Sequence, residues 1–490
     1  MKSFFKIVFF IVPIAVGLLL MDSCSKDQIA TKGSLSFSTD TLTFDTVFTT
    51  LGSTTRYFKV RNTISQTIRI SEIKLMQLSG TQFRIAVDGD TGIDFKNIDI
   101  PAHDSIYVFA EVTVNPNNIN NPFVITDQIQ FVTNGTSQIV TLEAMGQNAY
   151  YHINEHIKGV KNWMNDKPHI VVSRNGGLPF LAIDTGATLN LPARCQIYMA
   201  AGAVITVDGT LQSTNGLTWA DSIVFQGIRR EASYKDKPGQ WLGITYSRIA
   251  KVNLNHTIIN ESTVGISDEH VLNIIYGVRI TTSNIQHYAT DNTPTVTLDR
   301  CIIKNSGSTA MAAFQTNLTA TNCLFYAAGG SMILGVGGTY NLSYCTIANV
   351  YNRYIDHKNQ SLAIISGIQD IDKTFVGPYT TNSTITNTVV YGTLDNELLY
   401  SGSSSNNVVN FKYSLLKENI DSFHLFQATD NNCIFNTNPQ FKSEYYSNFQ
   451  PDSTTSPLWG AGTPVAGVSV DLFDYNRPTP PGIGAIEWHQ

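Results

Sequence analysis

At 490 residues the chain is long enough for two or three domains, each with its own core. Charged residues make up 14% of it, against roughly a quarter in an average soluble domain. Thr, Ser and Asn fill the polar positions instead, beside abundant Val, Ile, Tyr and Phe, a mixture that suits an extracytoplasmic β-protein. A net charge of −6 without a basic stripe excludes nucleic acid as a partner, while leaving room for a locally basic groove that takes an acidic glycan.

The N-terminus predicts export. Lys2 and Lys6 form a positive start, followed by an apolar run from Ile7 to Met21. That run is shorter than the ~20 residues of a spanning helix and matches the core of a signal peptide. Leu20-Met21-Asp22-Ser23-Cys24 resembles a lipobox, although Asp22 is unusual inside one. The expectation is a signal peptide over 1–23, diacylation of Cys24, and a lipidated tether over 24–34, with outer-membrane lipid as the anchor's partner. Ser25-Lys26-Asp27 resembles the short signal that carries some Gram-negative lipoproteins to the outer face of the outer membrane, so the cell surface is the expected address, with the periplasmic face as the alternative.

Residues 35–147 read as about seven short alternating strands, such as Tyr57-Phe58-Lys59-Val60-Arg61 and Ile106-Tyr107-Val108-Phe109-Ala110-Glu111-Val112, separated by turn clusters. That is the size of an immunoglobulin-like sandwich, a spacer or contact module. Residues 148–168 read as a connector. His152-Ile153-Asn154-Glu155-His156 within it fits the H-x-x-E-H pattern of inverted zinc proteases. That chemistry needs both histidines on one helix face and a third ligand in a closed domain. A short amphipathic turn is the reading preferred, and no metal or cofactor is assigned.

From His169 to 435 the rhythm changes to short strands every seven or so residues, three of which make one turn of a coil. Cys301, Cys323 and Cys345 follow one another at intervals of 22, each with apolar residues around it. Thr257, Ser283, Thr388 and Ser414 stand in the same pattern in the cysteine's place. A repeat near 22 carrying a short strand marks a solenoid with turns stacked in register, here a right-handed parallel β-helix. The recurring small residue then forms an interior ladder in which cysteine acts as a compact hydrophobe, so Cys195, Cys301, Cys323, Cys345 and Cys433 are expected unpaired. Asn260, Asn305 and Asn349 follow the rung centres and are expected at left-handed turns, stacked as an asparagine ladder. The Pro/Gly-rich residues 436–490 are expected to cap the open end of the coil.

Gly227-Ile228-Arg229-Arg230-Glu231 with Tyr234-Lys235-Asp236-Lys237-Pro238-Gly239-Gln240-Trp241, Phe44-Asp45-Thr46-Val47-Phe48 with Gly52-Ser53, and the C-terminal tail together resemble the β-helix-repeat lipoproteins of glycan-foraging Gram-negative bacteria, with a choice-of-anchor Q-type tail. The resemblance covers nearly the whole chain. It implies fold and location and carries over no catalytic residue.

Two functional classes stay open. The first is a non-catalytic surface protein presenting a coil face to a glycan or a protein. The second is a polysaccharide lyase or glycoside hydrolase acting on an acidic glycan, which needs aligned acid/base groups on successive rungs. Such alignment is not visible in the sequence, which favours the first class. Arg229, Arg230, Tyr234, Lys235 and Trp241 are the candidate glycan-binding residues, set against a bland reading in which Tyr234 and Trp241 pack a loop whose charges face water. Asp356-His357-Lys358 is expected to be a solvated loop.

Overall fold

A computed structural model of the chain describes residues 28–80, 82–117, 120–173, 177–270, 293–350, 352–369, 375–401, 407–418 and 432–489. The expected signal peptide, Cys24 and Ser283 lie outside the described residues. The chain divides into two compact units between Asn148 and Ala149.

The first unit is a β-sandwich of two five-stranded sheets. More strands are present than the expected seven because short edge strands such as Ser36–Phe37 and Asp90–Gly92 carry no alternating pattern of their own. The alternation in the long strands sorts their side chains: Phe58, Val60, Val108, Ala110, Ile129 and Phe131 face a shared core, and the residues between them face outward.

The second unit is a parallel β-helix. An eleven-stranded parallel sheet forms its first face. A sixteen-stranded sheet supplies the other two faces, which merge where Met311–Thr321 and Ile333–Ser343 run through the corner without a break. The apolar residues of all three faces converge on one continuous core from Ile157 to Leu416.

The coil begins one turn earlier than the sequence suggests. Tyr150–Ile153, Glu155–Ile157 and Val160–Asn162 pair in parallel with His169–Val172, Phe180–Ile183 and Thr188–Leu191. Residues 148–168 are therefore largely a rung and not a connector. His, Glu, Asn and Lys hide the alternation in a rung that has a neighbour on only one side. The H-x-x-E-H residues do not form a turn of helix either: His152 and His156 sit on consecutive strands, with Asn154 at φ 47 making the corner between them.

Register explains the cysteines. Ile258, Ile302, Leu324, Thr346, Val389 and Leu415 are successive partners on the first face, and Thr257, Cys301, Cys323, Cys345, Thr388 and Ser414 immediately precede them. All six are buried, and the five described cysteines are free thiols. The corner before this ladder is a single left-handed residue in turn after turn: His256, Arg300, Asn322, Tyr344, Asn387 and Tyr413 have φ between 43 and 54. A left-handed non-glycine residue costs about 1 kcal/mol or more. The stacking of each corner on the next offsets that cost and points each side chain outward.

The asparagine ladder needs a correction. Asn260 pairs with Lys304, so it stands one position before the phase shared by Glu261, Asn305 and Asn349. Glu261 and Asn305 are left-handed, at φ 65 and 51. One link of the ladder survives, Asn305 Nδ2 donating to Asn260 Oδ1 at 2.9 Å.

The tail does not act as an end plug. Phe441, Phe449, Leu458, Leu472, Ile483 and Ile486 lie along the outward side of the first face, against Ile302, Leu324, Ala348, Val389 and Leu415. Those outward positions are apolar, so the tail's cover removes them from water. The left-handed corners supply the polar dock. His256 Nε2 and Arg300 Nη1 lie 3.0 and 2.8 Å from Asp474 Oδ1, and Asn387 exchanges two hydrogen bonds with the Thr463 backbone.

Candidate functional site

An excursion over residues 228–242 leaves the first face after Ile223–Gly227 and rejoins the second at Gly243–Tyr246. Gly243 is required there, because at φ 138 a Cβ would lie 1.8 Å from the Val264 carbonyl oxygen. The excursion is organised around Glu261, which is fully buried. Its carboxylate accepts from Arg230 Nη1 at 2.8 and 3.1 Å and from the backbone N–H groups of Gly227 and Asp236 at 3.0 and 2.7 Å. Burial raises its pKa, with the Arg230 charge and the backbone donors pulling the other way. Arg229 pairs with Glu231 at 2.8 Å and lies 3.9 Å above the Tyr234 ring. Trp241 has no exposed surface and donates from Nε1 to the Asn260 carbonyl at 2.8 Å.

Four of the five candidate glycan contacts therefore build the loop. Trp241 cannot reach a ligand, which corrects its assignment; its apolar ring is held in the core beside Phe225. Arg230 serves Glu261, and Arg229 and Tyr234 serve each other. Lys235 alone is turned to an open cleft.

That cleft, of about 610 Å³, is assembled from four separate segments. Lys235 and Asp236 come from the excursion, Lys304 and Tyr326 from the outward side of the first face. Arg353 and Tyr354 come from a second loop, and Tyr445 and Tyr446 from the turn between the tail strands Phe441–Ser443 and Asn448–Pro451. Its floor is a polar knot. Asp236 Oδ1 accepts from Lys304 Nζ at 3.3 Å, Asn305 Nδ2 at 3.2 Å and Asn260 Nδ2 at 3.3 Å. Burial opposes the Asp236 charge, but Lys304 and the Asn260 amide outweigh it and lower its pKa. Burial likewise opposes the Lys304 charge and is outweighed by Tyr326 and Asp236, so its pKa is raised. Tyr445 and Tyr446 are 67% and 80% exposed, their rings 5.0 Å apart and perpendicular. Sequence reasoning missed every cleft residue except Lys235; the adjacent tyrosines in a polar turn were the available signal.

A second group lies along the edge of the second face. Ile183 pairs with Val207, Val207 with Tyr246 and Tyr246 with Asp268. Asp184, Asp208, Ser247 and Glu269, which follow them, thus share one rung phase. Rungs are about 4.8 Å apart. Burial, then the neighbouring Asp268 charge, pushes Glu269 up to about 7, and burial also raises Asp208. This alignment of carboxylates was not apparent from their irregular sequence spacing.

Asp356-His357-Lys358 is only partly solvated. Asp356 and Lys358 form an exposed pair, but the His357 side chain is 5% exposed, with Nε2 3.0 Å from the buried Glu397. His152, expected in a connector, has Nδ1 2.5 Å from Glu155 and Nε2 2.9 Å from His169 Nδ1. Among the described residues no three His, Cys, Asp or Glu side chains are placed to hold a metal ion, and no helix is long and apolar enough to cross a membrane.

A two-sheet sandwich followed by a parallel β-helix with an open aromatic cleft defines the class of protein. No protein family matches the chain, and no curated protein matches it. Among solved structures, a family 123 glycoside hydrolase from Clostridium perfringens aligns at 9% identity over 26% of this chain and 30% of its own, with a TM-score of 0.18. A PapD-like domain of human CEP192 aligns at 10% identity over 26% of this chain and 90% of its own, with a TM-score of 0.17. The catalytic unit of a thermostable GH87 α-1,3-glucanase from Streptomyces thermodiastaticus aligns at 10% identity over 73% of this chain and 79% of its own, with a TM-score of 0.16. The chain thus spans less than a third of the Clostridium enzyme's length. Alignments this loose say nothing about activity.

Proposed function

We propose that the protein is a lipid-anchored cell-surface protein, held at the outer membrane through Cys24, whose coil binds a glycan in the cleft without cleaving it. The observation that carries the binding reading is the composition of the cleft. Exposed Tyr446, Tyr445 and Tyr354 offer ring faces for the C–H surface of a sugar, and Lys235 and Arg353 form no ion pair among the described residues. Ring faces beside cations outside any ion pair complement the C–H faces and carboxylates of an acidic oligosaccharide. Titration of the purified chain with polygalacturonate and alginate oligosaccharides tests it. Binding read at the cleft, as hydrogen-exchange protection of Asp236 and Tyr354, should weaken about tenfold, or about 1.4 kcal/mol, in Lys235→Ala/Tyr446→Ala. Absence of that protection in the wild type, or unchanged protection in the variant, rejects the cleft.

The carboxylate column supports a second reading, cleavage of an acidic glycan. Glu269 near neutrality, in the same rung phase as Asp208, whose carboxyl pKa burial also raises, offers a proton donor for acid/base chemistry. Release of reducing ends or unsaturated products by the wild type, abolished in Glu269→Gln, selects this reading over the non-catalytic one.

A further inference from the structure

The sandwich unit carries a feature that its core does not explain. Tyr57, Tyr107 and Phe109 occupy outward positions on two neighbouring strands, while Phe58, Val108 and Ala110 between them face the core. Tyr57 pairs directly with Phe109, and Lys59 with Tyr107. The ring centroids are 5.4 Å apart for Tyr57 and Tyr107, 5.8 Å for Tyr57 and Phe109, and 6.0 Å for Tyr107 and Phe109. All three rings are exposed, by 56%, 39% and 37%. Phe109 also forms the wall of a cleft of about 390 Å³ whose other lining residues include Thr55, Arg84, Ile93 and Glu111.

We propose that this face is a second glycan-binding site, selective for acidic polysaccharide, independent of the cleft on the coil. The three centroids make a compact triangle, an exposed aromatic patch on which the C–H face of a sugar residue can pack. The Arg84–Glu111 pair, 3.5 Å apart and exposed, lines the same cleft as Phe109 and offers donors and acceptors to hydroxyl groups. Charge decides the class of glycan. Lys59 lies 4.8 Å over the Tyr107 ring and Arg61 follows it on the same strand; neither has an ion-pair partner among the described residues. A protein partner fits less well, since it needs about 800 Å² with an apolar centre. Here three rings are interleaved with charges.

Cross-strand aromatic pairs also stabilise a sheet, so the test separates binding from folding. The full chain is made in a cleft-disabled background, Lys235→Ala/Tyr446→Ala, and run through native gels cast with sodium polygalacturonate, alginate or neutral dextran. The parent should be retarded by the two acidic polymers and not by dextran, with retardation falling as salt is added. Tyr57→Thr/Tyr107→Thr/Phe109→Thr keeps strand-favouring residues and should weaken retardation about tenfold. Lys59→Gln/Arg61→Gln should weaken it severalfold while leaving the melting temperature unchanged. Three outcomes overturn the proposal: no retardation of the cleft-disabled parent, equal retardation by dextran, or wild-type retardation by the folded threonine variant.

Discussion

Arg477 Nη1 lies 2.6 Å from Glu487 Oε1, and both side chains are 3% exposed. The same guanidinium reaches Asn322 Oδ1 at 2.6 Å and covers the Tyr344 ring at 3.8 Å. One tail side chain thus grips two left-handed corners of the coil while neutralising a buried acid of its own segment. Burial opposes both charges, lowering the Arg477 pKa and raising that of Glu487. Arg477→Met leaves Glu487 buried and unpaired and should destabilise by about 3–5 kcal/mol. Limited proteolysis should then cut first within the tail. An Arg477→Met chain as protease-resistant as the wild type would mean that the apolar contacts hold the tail alone.

The cysteine ladder makes a chemical prediction. Burial pushes the Cys195 thiol up to about 12 and raises Cys323 well above its ordinary value. A thiol reagent should label these groups only after denaturation, and reductant should leave the melting temperature unchanged. Cys345→Thr should cost about 1 kcal/mol or less, because Thr257 and Thr388 already occupy that ladder. Cys345→Leu overfills a rung and should cost about 1–3 kcal/mol. Denaturant midpoints compare the two.

Acid should loosen the start of the coil. Burial holds His169 down at about 4, below its ordinary 6.5. A histidine depressed by folding contributes stability that is present above its unfolded pKa and lost as pH falls through the folded value. The window is therefore pH 6.5 down to 4, and the loss about 3 kcal/mol. His169→Phe retains a ring between Tyr150 and Trp163, which stack on His169 at 5.1 and 3.9 Å. Melting temperatures across that window should fall less steeply in the variant than in the wild type.

Glu261 should be worth more to the excursion than any of the residues around it. Glu261→Ala strands Arg230 and two backbone N–H groups together and should cost about 3 kcal/mol. Because Asp236 N–H is one of those groups, the cleft floor should loosen too. Hydrogen exchange at Asp236 in the variant, compared with the wild type, measures it.

Much of the architecture was legible because a stacked coil repeats its physical problem every turn. One small interior residue per rung, at a spacing of 22 from Cys301 to Cys323 and again to Cys345, is enough to reveal the stacking from the amino-acid order. The first rung was hidden for the same reason: with one neighbour only, Tyr150–Ile153 and Glu155–Ile157 tolerate polar residues that break the pattern. The tail's role was misjudged because its sequence reveals its irregular, apolar character but not the face it covers.

The sequence by itself determined the two β-units, the coil period and the burial of the ladder cysteines Cys301, Cys323 and Cys345, all of which follow from local alternation and repetition; Cys433 is only half-buried. The tertiary structure alone decided which outward side chains meet. Lys235, Lys304, Arg353 and Tyr446 enter one cleft, and Arg230 is spent on Glu261 and not on a ligand. Outward positions of a coil carry no repeating constraint, since each rung buries its interior whatever faces solvent. Their partners are set by where the excursions and the tail happen to cross the rungs.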